Sequence, residues 1–129
     1  MTQEEIRKLI DVLGFKEETS KKEVFSKKYS NVKYALSVDF KNQKINFGKK
    51  ITLGDNTTTN FSHPENFVVM ECVDRLLEKG YLPEHLTLEK KWPLGRTGKS
   101  GKADITVSDQ EGKTLMIIEC KTFGQEYEK

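Results

Sequence analysis

The sequence predicts an α+β fold in which a short helix and a β-meander precede a second unit of one helix and several strands. Apolar residues recur at helical spacing in two separate segments, and they alternate with polar residues over Val32–Phe40. A loop-like stretch, GDNTTTNFSH, separates the two halves. We therefore expect an N-terminal extension over residues 1–60 and a C-terminal unit over residues 61–129.

The first helix is predicted near the amino terminus. Thr2 and Glu5 have the spacing of a capping box, in which each side chain bonds the backbone of the other residue. Gly14 is typical of a helix end, because glycine adopts a left-handed backbone at little cost. Four apolar residues recur between these signals at helical intervals: Ile6, Leu9, Ile10 and Leu13. This segment is expected to form a short amphipathic helix.

The β-meander is predicted because the spacing of apolar residues changes from helical intervals to every second residue. Every second residue of Val32–Phe40 is apolar, which is typical of a half-buried strand. The positions Ile45, Phe47, Ile51 and Leu53 indicate one or two further strands, and the upstream segment EVFSKKY can pair with them. The core of this half is expected to contain four aromatic residues: Tyr29, Tyr34, Phe40 and Phe47.

The second half is predicted to begin with a helix. Ser62 and Glu65 repeat the capping-box spacing around Pro64, and Gly80 ends the run. One face of this helix carries Val69, Met70, Val73, Leu76 and Leu77. HLTLEKKW then reads as a strand, PLGRTGKSG as a loop, and GKADITVSDQEGKTLMIIECK as two strands around a turn. The final TFGQEYEK starts like a helix without an ending signal, so we expect the chain to be cut from a longer protein.

Composition limits the classes of function. The 129 residues include 35% hydrophobic and 33% charged residues, which suits a folded domain, and the net charge of +2 does not by itself argue for nucleic acid. Cys72 and Cys120 have no metal-site spacing, and we expect both to be reduced and buried. The sequence contains neither a signal peptide pattern nor a long apolar run. We therefore predict a cytoplasmic location and no membrane partner.

Charged residues stand where the last two predicted strands end. Glu119 and Lys121 share one face of their strand with Leu115 and Ile117, because side chains alternate. An even-numbered loop, such as 109–112, would place Asp104 opposite Ile117 and diagonal to Glu119, whereas an odd-numbered loop would turn Asp104 to the other face. Half-buried carboxylates need compensation, so the even register predicts a site that contains both acids and the lysine.

Two carboxylates beside a lysine suit a hard divalent cation. Mg²⁺ prefers oxygen ligands and takes few from the protein when water and phosphate complete its shell, and the main-chain carbonyl of Cys120 can add one. A metal at this position favours hydrolysis of a phosphodiester, with the lysine stabilising developing negative charge. The alternative is a structural ion pair on a strand face, since such a pattern also arises by chance.

The order of these elements resembles a known family. KADITV followed by MIIECK is similar to the PD-(D/E)xK nuclease core, and the run from HPENFVVMECV to MIIECK resembles the nuclease domain at the N-terminus of restriction enzymes. The resemblance is to type I restriction R subunits and to restriction nucleases fused to an N6-adenine DNA methyltransferase. It covers residues 61–129, and residues 1–60 are similar to the small N-terminal extension of some such proteins.

The resemblance implies a function and roles for particular residues. It implies a DNA endonuclease that uses Mg²⁺, with Mn²⁺ as a possible substitute, and leaves 5′-phosphate and 3′-hydroxyl ends. Asp104 and Glu119 would bind the metal, Lys121 would be the catalytic lysine, and Glu65 the assisting helix carboxylate. Ala103 replaces the proline of the family name, and the helix expected after the Glu-x-Lys strand would begin near Gly124. A fragment cut there is expected to have little activity alone.

The expected partners are double-stranded DNA and the remaining domains or subunits of a restriction-modification enzyme. A basic segment beside Asp104 contains five cations that either contact DNA phosphates or line a solvated loop: Lys90, Lys91, Arg96, Lys99 and Lys102. Glu65 is equally explained as a capping residue. Two alternatives stay open at this point, a non-catalytic DNA-binding or docking module on the same fold and a piece of a methyltransferase polypeptide.

Overall fold

The computed structural model describes the backbone of residues 2–93 and 100–120 and the side chains of 2–90 and 103–120. Two α-helices, one 3₁₀ turn and eight strands alternate along this part of the chain. In order they are α1 Gln3–Leu13, β1 Lys16–Glu17, β2 Val24–Tyr29, β3 Tyr34–Asp39, β4 Lys44–Asn46, β5 Thr52–Leu53, α2 Glu65–Glu78, the 3₁₀ turn Pro83–His85, β6 Leu86–Pro93, β7 Ser100–Ser108 and β8 Thr114–Ile118. The predicted mixed α+β class is confirmed.

The N-terminal helix and meander form as the sequence predicts. Thr2 and Glu5 make both hydrogen bonds of the capping box, and Gly14 ends α1 with a φ of 100°. Strands β1 to β4 then form a sheet in chain order, with every neighbouring pair antiparallel. Leu36 and Val38 of β3 are buried, whereas Ala35, Ser37 and Asp39 are more exposed, which confirms the period of two.

Helix α2 also follows the predicted pattern, except at its start. All five residues of the predicted apolar face are buried, and the chain turns away at Gly80 with a φ of 98°. The predicted capping box of Ser62 and Glu65 is wrong. Pro64 occupies the N-cap position without a side-chain hydrogen bond, and the Ser62 hydroxyl bonds Asn60 instead. Glu65 is therefore the first helical residue and does not act as a cap.

A second sheet contains the later strands in the order β5-β6-β7-β8. Its β5–β6 pair is parallel, and the other two pairs are antiparallel. Strand β5 lies before residue 60 in the chain, yet it pairs with β6 of the second half. Gly54, the residue after β5, lies very close to the backbone of β6, since a Cβ added to it would be 2.4 Å from the carbonyl oxygen of Glu89. Glycine is required there by contact with the neighbouring backbone.

One hydrophobic core joins the two halves of the described chain. Four phenylalanine rings form a series of edge-to-face contacts from the first sheet to α2, with centroids 5.0 to 5.5 Å apart: Phe25, Phe40, Phe61 and Phe67. Leu88 and Ile105 of the second sheet are fully buried in the same cluster. Residues of α2 and of both sheets thus belong to one core.

A polar network also ties the meander to α2. The Lys27 ammonium group bonds Asp74 at 2.7 Å and Glu78 at 2.6 Å, and the Tyr29 hydroxyl donates to the same Asp74 carboxylate. Asp74 is only 4% exposed. Burial lowers the pKa of Lys27, but its bonds to the two carboxylates more than offset this, so its pKa is raised. Lys27 therefore stays charged and compensates the buried carboxylate.

Candidate active site beside the end of β8

Asp104 lies in the middle of β7, and Glu119 directly follows the last residue of β8. The antiparallel register pairs Ile105 with Ile118, so its continuation by one residue places Asp104 directly opposite Glu119. Opposite residues of antiparallel strands have Cβ atoms about 4.5–5.5 Å apart and point to the same face. The prediction that the two acids share a face agrees with this register, but the predicted partner, Ile117, is wrong by two residues.

A β-bulge explains this difference. The loop between the strands is 109–113, an odd number of residues, and not the even loop 109–112 that the sequence suggested. Ser108 pairs with Thr114, but Val107 pairs with Met116, so Leu115 is an extra residue in β8. The bulge reverses the parity of the odd loop. Asp104 therefore returns to the face of Glu119, and its partner lies two residues further along β8 than predicted.

The two acids differ in their surroundings. Asp104 is half-buried, whereas Glu119 is exposed, as are Leu115 and Ile117 on the same face of β8 at 63% and 53%. The expectation that both carboxylates need compensation for burial is therefore wrong for Glu119. Its position beside Asp104 and its exposure leave it accessible to a cation from solvent.

The backbone of Cys120 holds Asp104 in place. Its N–H donates a hydrogen bond of 2.7 Å to Asp104 Oδ2. Bonds from N–H groups to a carboxylate are charge-assisted and stronger than neutral ones. Because only Oδ2 accepts this bond, Oδ1 can serve as a ligand without breaking it. The carbonyl of Cys120, a predicted ligand, lies one peptide unit from this anchored position.

Glu65 joins Asp104 in one cleft of about 340 Å³. It lies on the first turn of α2. The cleft is lined by Thr57, His63, Glu65, Asn66, Val69, Glu89 and Asp104. The cleft thus brings Glu65 near Asp104, and its predicted assisting role stays a prediction. The capping role is wrong, but an acidic residue in the first turn is also stabilised by the helix dipole.

Glu89 is a component of the cleft that the sequence analysis missed. It is 6% exposed and has a φ of 56°. The ladder pairs Leu88 with Ile105 and Lys90 with Ala103, which leaves Glu89 level with Asp104 but outside the regular pairing. A left-handed backbone is uncommon for glutamate, and such conformations are concentrated at functional sites. Its strand-like context, TLEKK, contains no signal of this conformation.

Asn66 builds the wall of the cleft opposite the sheet. Its buried side-chain amide donates to the carbonyl oxygens of Thr57 and Asn60, both at 2.9 Å. These bonds hold the 57–60 loop against the start of α2. The loop that leads to His63 is therefore held in place by Asn66 of α2. The sequence pattern did not indicate this contact.

The predicted cations are described only in part. Lys90 is half-buried in β6, and the backbones of Lys91 and Lys102 pair across β6 and β7. The side chains of Lys91 and Lys102 lie outside the described residues, as do Arg96, Lys99 and the predicted catalytic Lys121. The DNA-contact and lysine predictions therefore stay predictions.

The donor chemistry of the site fits a hard cation with few protein ligands. In the described part of the chain, no three His, Cys, Asp or Glu side chains form a group that could hold a metal ion by themselves. Asp104 and Glu119 nevertheless provide two neighbouring oxygen donors, and a main-chain carbonyl is adjacent. Mg²⁺ commonly binds through one or two carboxylates and completes its shell with water and phosphate. Asp104, Glu119 and the Cys120 carbonyl are the residues that would hold it.

The two cysteines meet directly behind the site. Cys72 of α2 and Cys120 have their Sγ atoms 3.6 Å apart, and the Cys120 thiol donates to Cys72. This hydrogen bond lowers the pKa of Cys72 to about 7, and the same bond together with burial raises the pKa of Cys120. Cys120 is buried as predicted, whereas Cys72 is partly exposed. Their proximity is a long-range contact that residue spacing could not indicate.

No family model, curated protein or solved structure matches this chain at a significant level. Among the described residues, neither helix has the length and apolar character needed to cross a bilayer.

Proposed function

We propose that this chain carries a PD-(D/E)xK-type nuclease core that hydrolyses DNA phosphodiester bonds with Mg²⁺. The observation that supports this most is the register of the adjacent strands β7 and β8, which brings Asp104 opposite Glu119, together with the cleft that Asp104 shares with Glu65 of α2. Its partners are double-stranded DNA and the other parts of a cytoplasmic restriction-modification enzyme. Mn²⁺ is expected to replace Mg²⁺, since both prefer oxygen ligands.

Each residue of the site has a defined task in this proposal. Asp104 and Glu119 hold the cation, and the Cys120 N–H keeps the Asp104 carboxylate oriented toward it. When bound, Mg²⁺ polarises a phosphoryl oxygen and lowers the pKa of water. Lys121 follows Glu119 by two residues in the sequence and stabilises the negative charge that develops at phosphorus. Glu65 accepts a hydrogen bond from water at the helix side of the cleft.

Metal-dependent cleavage tests the proposal in the full-length protein. Supercoiled plasmid is expected to become nicked or linear when Mg²⁺ is present and to stay intact in excess chelator, because both carboxylates need the cation to act on phosphate. Agarose electrophoresis measures the conversion, and end-labelling identifies 5′-phosphates. Equal conversion with chelator, or intact plasmid over a full Mg²⁺ and Mn²⁺ titration, would contradict the proposal.

A non-catalytic docking module on the same fold is the second candidate, favoured by the exposed Leu115 and Ile117 beside Glu119. Thermal unfolding with and without Mn²⁺ separates the two functions. Ligand at a hundredfold excess over its Kd stabilises a protein by about 2.7 kcal/mol. We expect Glu119→Gln to remove most of this stabilisation, because the amide lacks the negative charge that binds the cation.

The matched control is Glu111→Gln in the exposed β7–β8 turn, which removes the same charge about one strand length away. It should leave the metal response at the wild-type value. A docking module predicts no metal response in any of the three proteins, and an equal loss in both variants would indicate nonspecific charge binding in place of a site.

A further inference from the structure

A pair of thiols lies beside the candidate site without a part in the proposed hydrolysis. Cys72 and Cys120 belong to different elements and are 48 positions apart in sequence, yet their sulfur atoms are 3.6 Å apart. A disulfide bond needs a separation of about 2.05 Å, so closure requires a movement of only about 1.5 Å shared between helix and strand end. The fold has therefore already brought the two residues together.

The two thiols differ in access. A shallow pocket of about 150 Å³, lined by Cys72, Arg75, Leu76, Lys79 and Ile118, reaches the Cys72 side of the pair. Cys120 is 4% exposed and lies behind it. A small oxidant thus meets Cys72 first, and Cys120 is in position to attack the oxidised sulfur. An exposed cysteine with a neighbouring resolving cysteine is the usual arrangement of a redox-sensitive site.

We propose that Cys72 and Cys120 form a reversible disulfide that links α2 to the end of β8. Hydrogen peroxide is the oxidant class that fits the pocket. The Cys72 sulfur attacks one peroxide oxygen, the O–O bond breaks, and the first water leaves with the thiol proton, giving a sulfenic acid. The Cys120 sulfur then attacks the Cys72 sulfur, the S–O bond breaks, and a second water leaves. Two thiols are oxidised by two electrons while one peroxide is reduced to two waters.

The linkage acts on the backbone that holds Asp104. Cys120 donates its N–H to Asp104 Oδ2, and closing the disulfide draws Cys120 toward α2. This displacement weakens the bond that orients Asp104. The consequence for catalysis rests on the proposed function, and we expect oxidation to reduce metal-dependent cleavage at least tenfold and a thiol reductant to restore it. Disulfides that form in reducing compartments are mainly transient ones of this kind.

Mass spectrometry and thiol titration test the modification without reference to DNA. Treating the natively folded protein with limiting hydrogen peroxide should give a product about 2 Da lighter, with both thiols lost and a crosslinked peptide containing Cys72 and Cys120. Dithiothreitol should return both thiols. Cys72→Ser and Cys120→Ala should each abolish the crosslink while leaving one thiol, and the first is the informative variant because Cys72 is partly exposed.

Two results would overturn the proposal. The first is Cys72 oxidised to sulfinic acid while Cys120 keeps a free thiol, and the second is both thiols unreacted in the folded protein. Failure of the nuclease proposal gives a different pattern, in which the disulfide forms and reverses but no metal-dependent cleavage exists to be changed. If cleavage exists and its rate is equal in the oxidised and reduced protein, the proposed link to Asp104 is wrong.

Discussion

Asp104→Asn is expected to reduce metal-dependent DNA cleavage by at least about 100-fold while the protein stays folded. The amide has the same shape, and its oxygen can still accept the Cys120 N–H bond that anchors residue 104. What the substitution removes is the negative charge that would bind the cation. Plasmid cleavage by the full-length protein measures the effect, and circular dichroism with thermal unfolding checks the fold.

The control is Asp11→Asn, which makes the same chemical change on the exposed surface of α1. It is expected to cleave DNA at the wild-type rate. The assignment of Asp104 fails if the two variants cleave equally well. Loss of cleavage together with a large fall in melting temperature would show that the carboxylate acts through the fold, so the unfolding measurement decides between a chemical and a structural role.

Most elements of the fold could be predicted, because they depend on local patterns. The capping box of Thr2 and Glu5 and the alternation in β3 are visible within a few residues of sequence, and both form as predicted. The start of α2 could not be predicted in the same way. Ser62 has the right spacing for a cap, but its hydroxyl bonds Asn60 in a loop held by Asn66. A competing hydrogen bond to a residue two positions away thus overrides the capping preference.

The sequence could predict that Asp104 and Glu119 share a face of the sheet, but not which residues of β7 and β8 pair. Because side chains alternate along a strand, Asp104 and Glu119 lie on the same face when the loop and bulge residues between the paired strands add up to an even number. The loop 109–113 and the single bulged residue Leu115 meet this condition. The bulge at Leu115 lies inside β8, where no turn residue of the sequence indicates it. For this reason Asp104 is opposite Glu119, and the predicted pairing with Ile117 is wrong.

The position of Glu89 in the cleft and the contact between Cys72 and Cys120 could not be predicted from the sequence. Glu89 enters the cleft through a left-handed backbone, which glutamate does not favour and which the close approach of Gly54 accompanies. The cysteines are brought together by the packing of α2 on the second sheet, across 48 positions of sequence. Neither relation has a periodic pattern or a motif spacing, so each becomes visible only in three dimensions.

Asp74→Ala is expected to destabilise the protein by about 3 kcal/mol, because it removes one partner of a buried ion pair. Asp74 accepts from both Lys27 and Tyr29, and these bonds join the meander to α2. Its removal leaves a mostly buried ammonium group with one partner, Glu78, and a buried hydroxyl without its acceptor. Burial, and then the bond to Asp74, raises the pKa of Tyr29, so its hydroxyl stays protonated and cannot relieve the loss by ionising.

The same network supplies the matched comparison, Glu78→Gln. Glu78 also bonds Lys27, but its side chain is 55% exposed, so water can replace it and the expected cost is below about 1 kcal/mol. Urea unfolding followed by tryptophan fluorescence and circular dichroism gives both free energies on one scale. A cost for Asp74→Ala no greater than that for Glu78→Gln would mean that the apolar core alone joins the two halves. A larger cost for Asp74→Ala than for Glu78→Gln would show that the contact between the meander and α2 is stabilised by the buried Asp74 carboxylate, and not by the number of ion pairs.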